Sequence, residues 1–380
     1  MTTLACLLLL TPLGTLLYVG GAVTFVAVYA LLAVYAERKV SAFIQDRLGP
    51  MEAGPYGAFQ TLADVLKLVL KEPIIPKAAD RWLFAMAPGI IFVAVFAGLA
   101  VLPLAPGVVG SEANVGLLYL LGVVAIDVIG LLMAGWGANN KYALLGASRS
   151  VAQIVSYEVP AALVLLSAVM MHGTLSLQEL SMAQGIYSPE PVYFLGIWDI
   201  TPVGGLLSWS VFRYPHLLLA FVVYLIAGLA ESNRAPFDIP EAESELVSGY
   251  HVEYSGFRFA LVMLSEYGKM LIVGLIAAVV FLGGWNTPFP NLTFGDFSLS
   301  LADWTSGPAG TVAGVLWGSC WMLSKSFALV LFFMWVRWTY PRVRVDQLMH
   351  LCWKVLTPAG FLLFLISGAW KLAEVYYSVQ

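Results

Sequence analysis

Apolar residues along this chain fall into eight long runs separated by polar connections, at residues 13–35, 88–104, 115–136, 151–171, 215–230, 259–281, 312–336 and 353–373. A helix needs roughly 20 mostly apolar residues to cross the hydrocarbon core, so each run predicts a membrane-spanning helix. The fifth is short and is expected to borrow a turn from residues 209–214. No Lys or Arg precedes Arg38, so the first run reads as a span rather than a cleaved leader, which would begin with basic residues. One segment has a different pattern. In residues 57–72, Gln60, Asp64, Lys67 and Lys71 recur at helical spacing on one face, while Phe59, Leu62, Leu66, Val69 and Leu70 fill much of the rest. Too charged and too short to span, it predicts an amphipathic helix on the membrane surface. It serves there either as a lipid anchor or as the cap of a cavity with Asp64 turned inward. The expected fold class is all-α: a polytopic membrane protein forming one integral membrane domain over residues 1–380.

Composition supports this pattern. Hydrophobic residues make up 60% of the 380 and charged residues 11%, against roughly 25% charged in a soluble domain. No stretch has the charge to coat an appended soluble domain. The net charge of −4 excludes a nucleic-acid partner and leaves the lipid bilayer as the first one. Cys6, Cys320 and Cys352 have no paired spacing, which argues against an iron–sulfur cluster, a zinc site or a disulfide framework. His172, His216, His251 and His350 are scattered and make poor axial pairs for a haem.

The basic residues set the orientation. Four alternate connections, with Lys354 at the edge of the last, hold 15 of the 19 Lys and Arg residues. By the positive-inside rule they lie in the cytoplasm, or its organellar equivalent, with both termini outside. The longer connections on the opposite side, 172–214 and 284–311, are rich in Pro, Gly and aromatics. They show no chemistry, and packing or partner contact is their expected role. No tandem repeat is evident.

Charge inside the spans is the feature that points to chemistry. Asp127, Glu158, Glu266, Lys269 and Lys325 fall within apolar runs, each costing on the order of 3 kcal/mol at a helix centre. Glu266 and Lys269, three apart, can meet on one face. Structural pairing accounts comfortably for one or two such residues and poorly for five. The third basic-side connection is the most unusual, reading Glu231-Ser-Asn-Arg-Ala-Pro-Phe-Asp-Ile-Pro-Glu-Ala-Glu-Ser-Glu245 and continuing to Glu253. It carries six carboxylates where basic residues are expected. Buried carboxylates rise in pKa and nearby cations lower it, so such a series can exchange protons near neutrality.

These residues carry a resemblance. The stretch NRAPFDIPEAESELVSGYHVEYSG strongly resembles the signature of the quinone-chamber membrane subunit of respiratory complex I, the proton-pumping NADH:quinone oxidoreductase. Three further blocks agree in order: AERKVSAFIQDRLGP with the surface helix, GWGANNKYALLGASRSVAQIVSYEVP, and VRWTYPRVRVDQLMHLCWK. Nearly the whole chain is covered. The resemblance implies a quinone tunnel walled by the first span, the surface helix and the sixth span, with Arg38, Arg47, Asp64, Phe237 and Asp238 at the quinone site. It implies a proton-coupling series of Glu37, Glu158, Glu231, Glu241, Glu243, Glu245, Glu253 and Glu266, with Lys269 beside them. The chain departs from the family pattern at Met51-Glu52-Ala53-Gly54 and at Thr61, beside the tunnel mouth, and Asp127 stands where relatives have a small polar residue.

The implied protein is a non-redox subunit of a translocating enzyme, with quinone as bound substrate. It ligates no flavin, haem, iron–sulfur cluster or metal of its own. Its implied partners are the other complex I membrane subunits and soluble subunits carrying iron–sulfur clusters, docked on the cytoplasmic loops. The implied location is an energy-coupling membrane, foremost the bacterial plasma membrane. Two other readings stand beside it. One is the related membrane subunit of an energy-converting hydrogenase or ferredoxin-linked complex, and the other is a stand-alone secondary transporter. The long acidic connection and the complete surface-helix block favour the quinone reductase.

Overall fold

The computed structural model describes residues 12–195, 198–240, 243–294, 297–308 and 310–378; Cys6 and Glu241 lie outside them. Among the described residues, seven helices are long and apolar enough to cross a bilayer, and Pro215–Glu231 is shorter. The spans, in chain order, are Pro12–Ile44, Arg81–Leu99, Gly116–Gly137, Lys141–His172, Pro215–Glu231, Gly256–Val280, Val312–Thr339 and Val345 onward to Ser378. The fold is all-α apart from two small antiparallel hairpins, Tyr193–Phe194 with Trp198–Asp199 and Asn291–Phe294 with Phe297–Ser300.

Several spans begin or end away from the apolar runs, and capping chemistry explains where. The first continues nine residues past 35 to Ile44, so Glu37, Arg38 and Lys39 are helical. The chain leaves the helix only ahead of Gly49-Pro50, where proline cannot continue it. The second span starts at Arg81 because the Asp80 carboxylate accepts from the backbone N–H groups of Trp82 and Leu83 at 3.0 and 3.3 Å, an N-cap. Pro88 therefore sits inside that helix. Asn140 caps the fourth span through the Tyr142 N–H at 2.9 Å, and Gly173, at φ 74°, closes it in the left-handed conformation glycine tolerates. The third span is interrupted at Ala125, between Gly116–Val124 and Ile126–Gly137. The eighth carries a π-turn over Cys352–Leu356. Ahead of the fifth span, Ser210–Arg213 forms a separate short helix before Pro215 restarts the chain.

The sixth span is the axis of the bundle. Every residue from Ser265 to Val280 is buried, as expected of a helix packed on all sides. The first, second, fifth and seventh spans and the surface helix Gln60–Leu70 pack around it. On the surface helix Thr61 is buried, while Leu62, Leu66, Val69 and Leu70 are exposed.

The two ends of the bundle are built differently. At the end that carries the basic connections, loops interlock through ion pairs between Arg342 and Asp238 and between Arg149 and Glu245. At the hairpin end the ties are neutral. The Asn286 amide donates to Ser181 O and Gly283 O, and Gln184 Nε2 donates to Val279 O. The one buried cation found there among the described residues, Lys325, donates to the carbonyls of Leu282, Gly284 and Asn286 at 2.7, 2.8 and 2.6 Å and lies 4.0 Å over the Trp209 ring.

Candidate functional site

The extension of the first helix places Glu37 among partners from three other segments. Its Oε1 accepts from Arg337, in the last turn of the seventh span, and from Arg234 Nη1 at 3.4 Å. Its Oε2 accepts from the Tyr267 hydroxyl of the sixth span at 2.5 Å. The Arg234 guanidinium also stacks 4.6 Å over the Tyr267 ring. Only 8% of the Glu37 side chain is exposed, so two guanidinium groups converge on one buried carboxylate. Arg337 sits where a helix C-terminus favours a cation.

The connection after the fifth span is held in place from the fourth. Gln153 Nε2 donates to Ala230 O at 2.7 Å and Phe237 O at 2.8 Å. Phe237 is buried with its ring 5.7 Å from Tyr157. Next to it, Asp238 Oδ2 accepts from Arg342 at 3.1 Å, while the buried Oδ1 has no hydrogen-bond partner among the described residues. Burial pushes the Asp238 carboxyl up to about 6, with Arg342, Arg337 and Arg234 pulling against it.

On the other side of the first span, Arg38 meets Asp64 of the surface helix at 2.6 Å, and Lys67 approaches the same carboxylate at 3.8 Å. This cluster is open to the surface, with 40% of the Arg38 side chain exposed. Arg47 lies beyond the helix end and is exposed. Of the five residues expected at the quinone site, Arg38 and Asp64 are in contact, and Phe237 and Asp238 are adjacent in the loop. Arg47 joins neither group.

Deeper in the bundle, Glu266 and Lys269 reach different partners. The Tyr250 hydroxyl donates to Glu266 Oε1 at 2.7 Å. Tyr250 is brought there by a close approach of Gly146 to Gly249, where a Cβ on Gly146 would lie 2.8 Å from the Gly249 Cα; only glycine fits. Lys269 pairs with Asp127 of the third span, and both side chains are almost fully buried, at 5% and 3% exposure. Asp127, Lys269 and Glu231 line one small cavity, closed by Val95, Val124, Ile272 and Val273. Glu158, half-buried on the fourth span, is within electrostatic reach of Glu231.

The remaining carboxylates of the expected series are peripheral. Glu245 pairs with Arg149 at 2.6 Å and keeps 61% of its side chain exposed. Glu253 accepts from Asn140 Nδ2 at 2.7 Å. Glu243 begins the short helix Glu243–Leu246. His251, in contact with Ser248 at 3.1 Å, is held below the usual histidine range by burial, with Glu266 opposing.

Sequence reasoning missed the partners rather than the carboxylates. Tyr250 and Tyr267 stand inside the acidic block and Arg337 and Arg342 inside VRWTYPRVRVDQ, so the signal was their place in those blocks. Nothing in the spacing connects Asp127 to Lys269, which are 142 positions apart.

The class of protein is thus a helical membrane protein whose interior, from the basic end to the middle of its central helix, is lined by ion pairs and hydrogen-bonded carboxylates. The model of the NADH dehydrogenase family matches residues 17–368, and the chain belongs to that family. It is similar to a membrane-family subunit of the NADH-quinone oxidoreductase of Cytophaga hutchinsonii, at 53% identity over 91% of this chain and 96% of the relative. It is also similar to the corresponding NADH-quinone oxidoreductase subunits of Chlorobium luteolum, at 52% identity over 95% and 90%, and of Bacteroides fragilis, at 42% over 88% and 86%.

Proposed function

We propose that this chain lines the quinone chamber of a proton-translocating NADH:quinone oxidoreductase and carries the acidic route that couples quinone reduction to proton movement. The chain is a membrane subunit of that multi-subunit enzyme. The observation that carries the finer reading is Glu37, a buried carboxylate shared by two arginines and a tyrosine from three segments. It lies one residue from the Arg38–Asp64 pair at the surface and shares the sixth span, through Tyr267, with Glu266 and Lys269.

In this reading the quinone head group enters between the first span and the surface helix. The Arg38–Asp64 pair stands at that mouth, and the carboxyl of Asp238, with one orphaned buried oxygen, is a group that can hold or donate a proton in the loop above. A charge change at the quinone acts on Glu37, whose arginines can shift between it and neighbouring carboxylates. In a partly dehydrated site of effective dielectric near 20, a unit charge 4 Å away contributes about 4 kcal/mol, enough to move a carboxylate across neutrality. From Glu37 the effect passes along the sixth span to Glu266, Lys269 and Glu231, with Glu158 as the next acid. Glu241, Glu243, Glu245 and Glu253 form the outer part of the series.

Electrons reach the quinone from soluble subunits with iron–sulfur clusters docked on the basic end, which faces the cytoplasm of a bacterial plasma membrane, with both termini outside. The chain supplies no redox centre; its described residues gather no group of three or more His, Cys, Asp or Glu able to hold a metal. The names of the relatives favour this over a hydrogenase component.

The test uses Glu37→Gln and Glu266→Gln in the assembled complex, reconstituted in vesicles. The proton-to-electron ratio is measured along with electron flow to an artificial acceptor at the soluble arm. Both variants should keep that flow and lose coupled pumping. A parent-like ratio at parent turnover in both, with assembly intact, would refute the coupling role.

A further inference from the structure

The acidic series proposed above does not include Asp127, yet its surroundings are the most exacting in the protein. Its Oδ2 holds Lys269, while its Oδ1 is buried and has no hydrogen-bond partner among the described residues. A carboxylate oxygen so placed forfeits its solvation without replacement, unless it is sometimes a hydroxyl or sometimes receives another donor. The backbone makes room for it. The third span breaks at Ala125, and Asp127 lies in the first turn of the half that follows, Ile126–Gly137, where the helix dipole favours negative charge. The cavity beside it is also lined by Glu231 and Lys269 and otherwise by aliphatic side chains. The charged and titratable groups facing Asp127 are therefore Lys269 and Glu266 from the sixth span and Glu231 from the fifth, while the second span offers only Val95.

We infer that Asp127 and Glu231 are alternate carboxylate partners of the Lys269 ammonium, and that a proton passes between them across this cavity as the ammonium changes partner. The inference rests on the coupling role proposed for the acidic series.

The step balances. In one state Glu231 carries the proton and Lys269 pairs with ionised Asp127. The Glu231 hydroxyl gives its proton to Asp127, whose orphaned Oδ1 is the site to receive it. Lys269, still an ammonium, then follows the negative charge to Glu231. One cation, one carboxylate and one neutral acid are present before and after, so the net charge in the low-dielectric interior never changes. An unpaired buried charge is the costly alternative. Because charge is conserved, the exchange responds to the field of neighbouring groups, Glu266 and Glu158 among them, rather than requiring an ion to enter from solvent. Asp127 thus serves as a proton-carrying residue in the membrane and Lys269 as the movable counter-ion.

The experiment compares three variants of the assembled complex in vesicles: Asp127→Asn, the double variant Asp127→Asn with Lys269→Met, and Glu231→Gln. The readouts are the proton-to-electron ratio, electron flow to an artificial acceptor at the soluble arm, and the carboxylic C=O region of the infrared difference spectrum on quinone reduction. Asp127→Asn should lose coupled pumping and a carbonyl band while keeping acceptor flow. The double variant removes both charges of the pair, so it should assemble normally even where the single one does not. It should remain uncoupled, because no second carboxylate is left to exchange with Glu231. Parent-like pumping in the double variant, with Glu231→Gln still uncoupled, would show that the pair is structural and overturn the inference while leaving the acidic series standing. Parent-like pumping in Glu231→Gln would overturn both.

Discussion

The two ends of this bundle bury cations in opposite ways. At the hairpin end, Lys325 is held by three backbone carbonyls and the face of Trp209. Those acceptors are fixed dipoles with one state, so they keep the ammonium in place whatever happens elsewhere. At the basic end, Arg234 and Arg337 share Glu37, Arg342 holds Asp238, and Lys269 holds Asp127. Every one of these acceptors can be neutralised by a proton, which releases its cation. The same cost of burying charge is met by rigid partners at one end and by titratable ones at the other. Only the second arrangement can transmit a change in charge.

The comparison breaks most visibly at Glu37. Glu37→Ala leaves Arg234 and Arg337 facing each other in a buried site, and losing one partner of a buried pair costs roughly 3–5 kcal/mol. The expected outcome is failure of the subunit to accumulate in the assembled complex, checked by native gel electrophoresis of solubilised membranes. Glu37→Gln, which keeps hydrogen bonding, should assemble.

Lys325→Met is the matching change at the other end. It strands three carbonyls, each costing about 1–3 kcal/mol if it stays buried and unpaired. Melting of the purified complex should shift downward. The proton-to-electron ratio of the assembled fraction should match the parent, since no titratable partner is lost; a reduced ratio would mean the hairpin end takes part in coupling.

Asp238 gives a pH signature. Its carboxyl stands at about 6 in the folded protein against an ordinary 3.8. Between those values the folded state binds the proton more tightly than the unfolded one, so this group's contribution to stability falls as pH rises through about 4 to 6 and is level above. Melting temperatures of the parent and Asp238→Asn, recorded across that window, should differ in slope there and run parallel at higher pH.

The smallest effect is expected at Glu245. With 61% of its side chain in solvent, its pair with Arg149 belongs to the exposed class worth about 1 kcal/mol or less. Glu245→Gln should leave melting nearly unchanged and reduce the proton-to-electron ratio less than Glu266→Gln does. An equal reduction would extend the titratable region out to the loop surface.

The sequence by itself determined the all-α membrane class, the amphipathic helix containing Asp64 and the family, because composition and periodicity are local properties and the acidic block is one continuous stretch. It also placed Glu266 and Lys269 on one face of the sixth span. Helix ends were partly legible: Asp80 and Asn140 are ordinary caps, yet the apolar runs alone start the second and fourth spans at 88 and 151 rather than at Arg81 and Lys141. Only the tertiary structure decided which carboxylate each buried cation meets. Glu37 is 300 positions from Arg337, and Asp127 is 142 from Lys269. The physical reason is that the burial of a charge is decided by the neighbours that replace its water, and in a bundle those neighbours come from other helices. Spacing along one helix can say which side chains share a face, but which helix that face meets is settled only when the spans pack around the sixth.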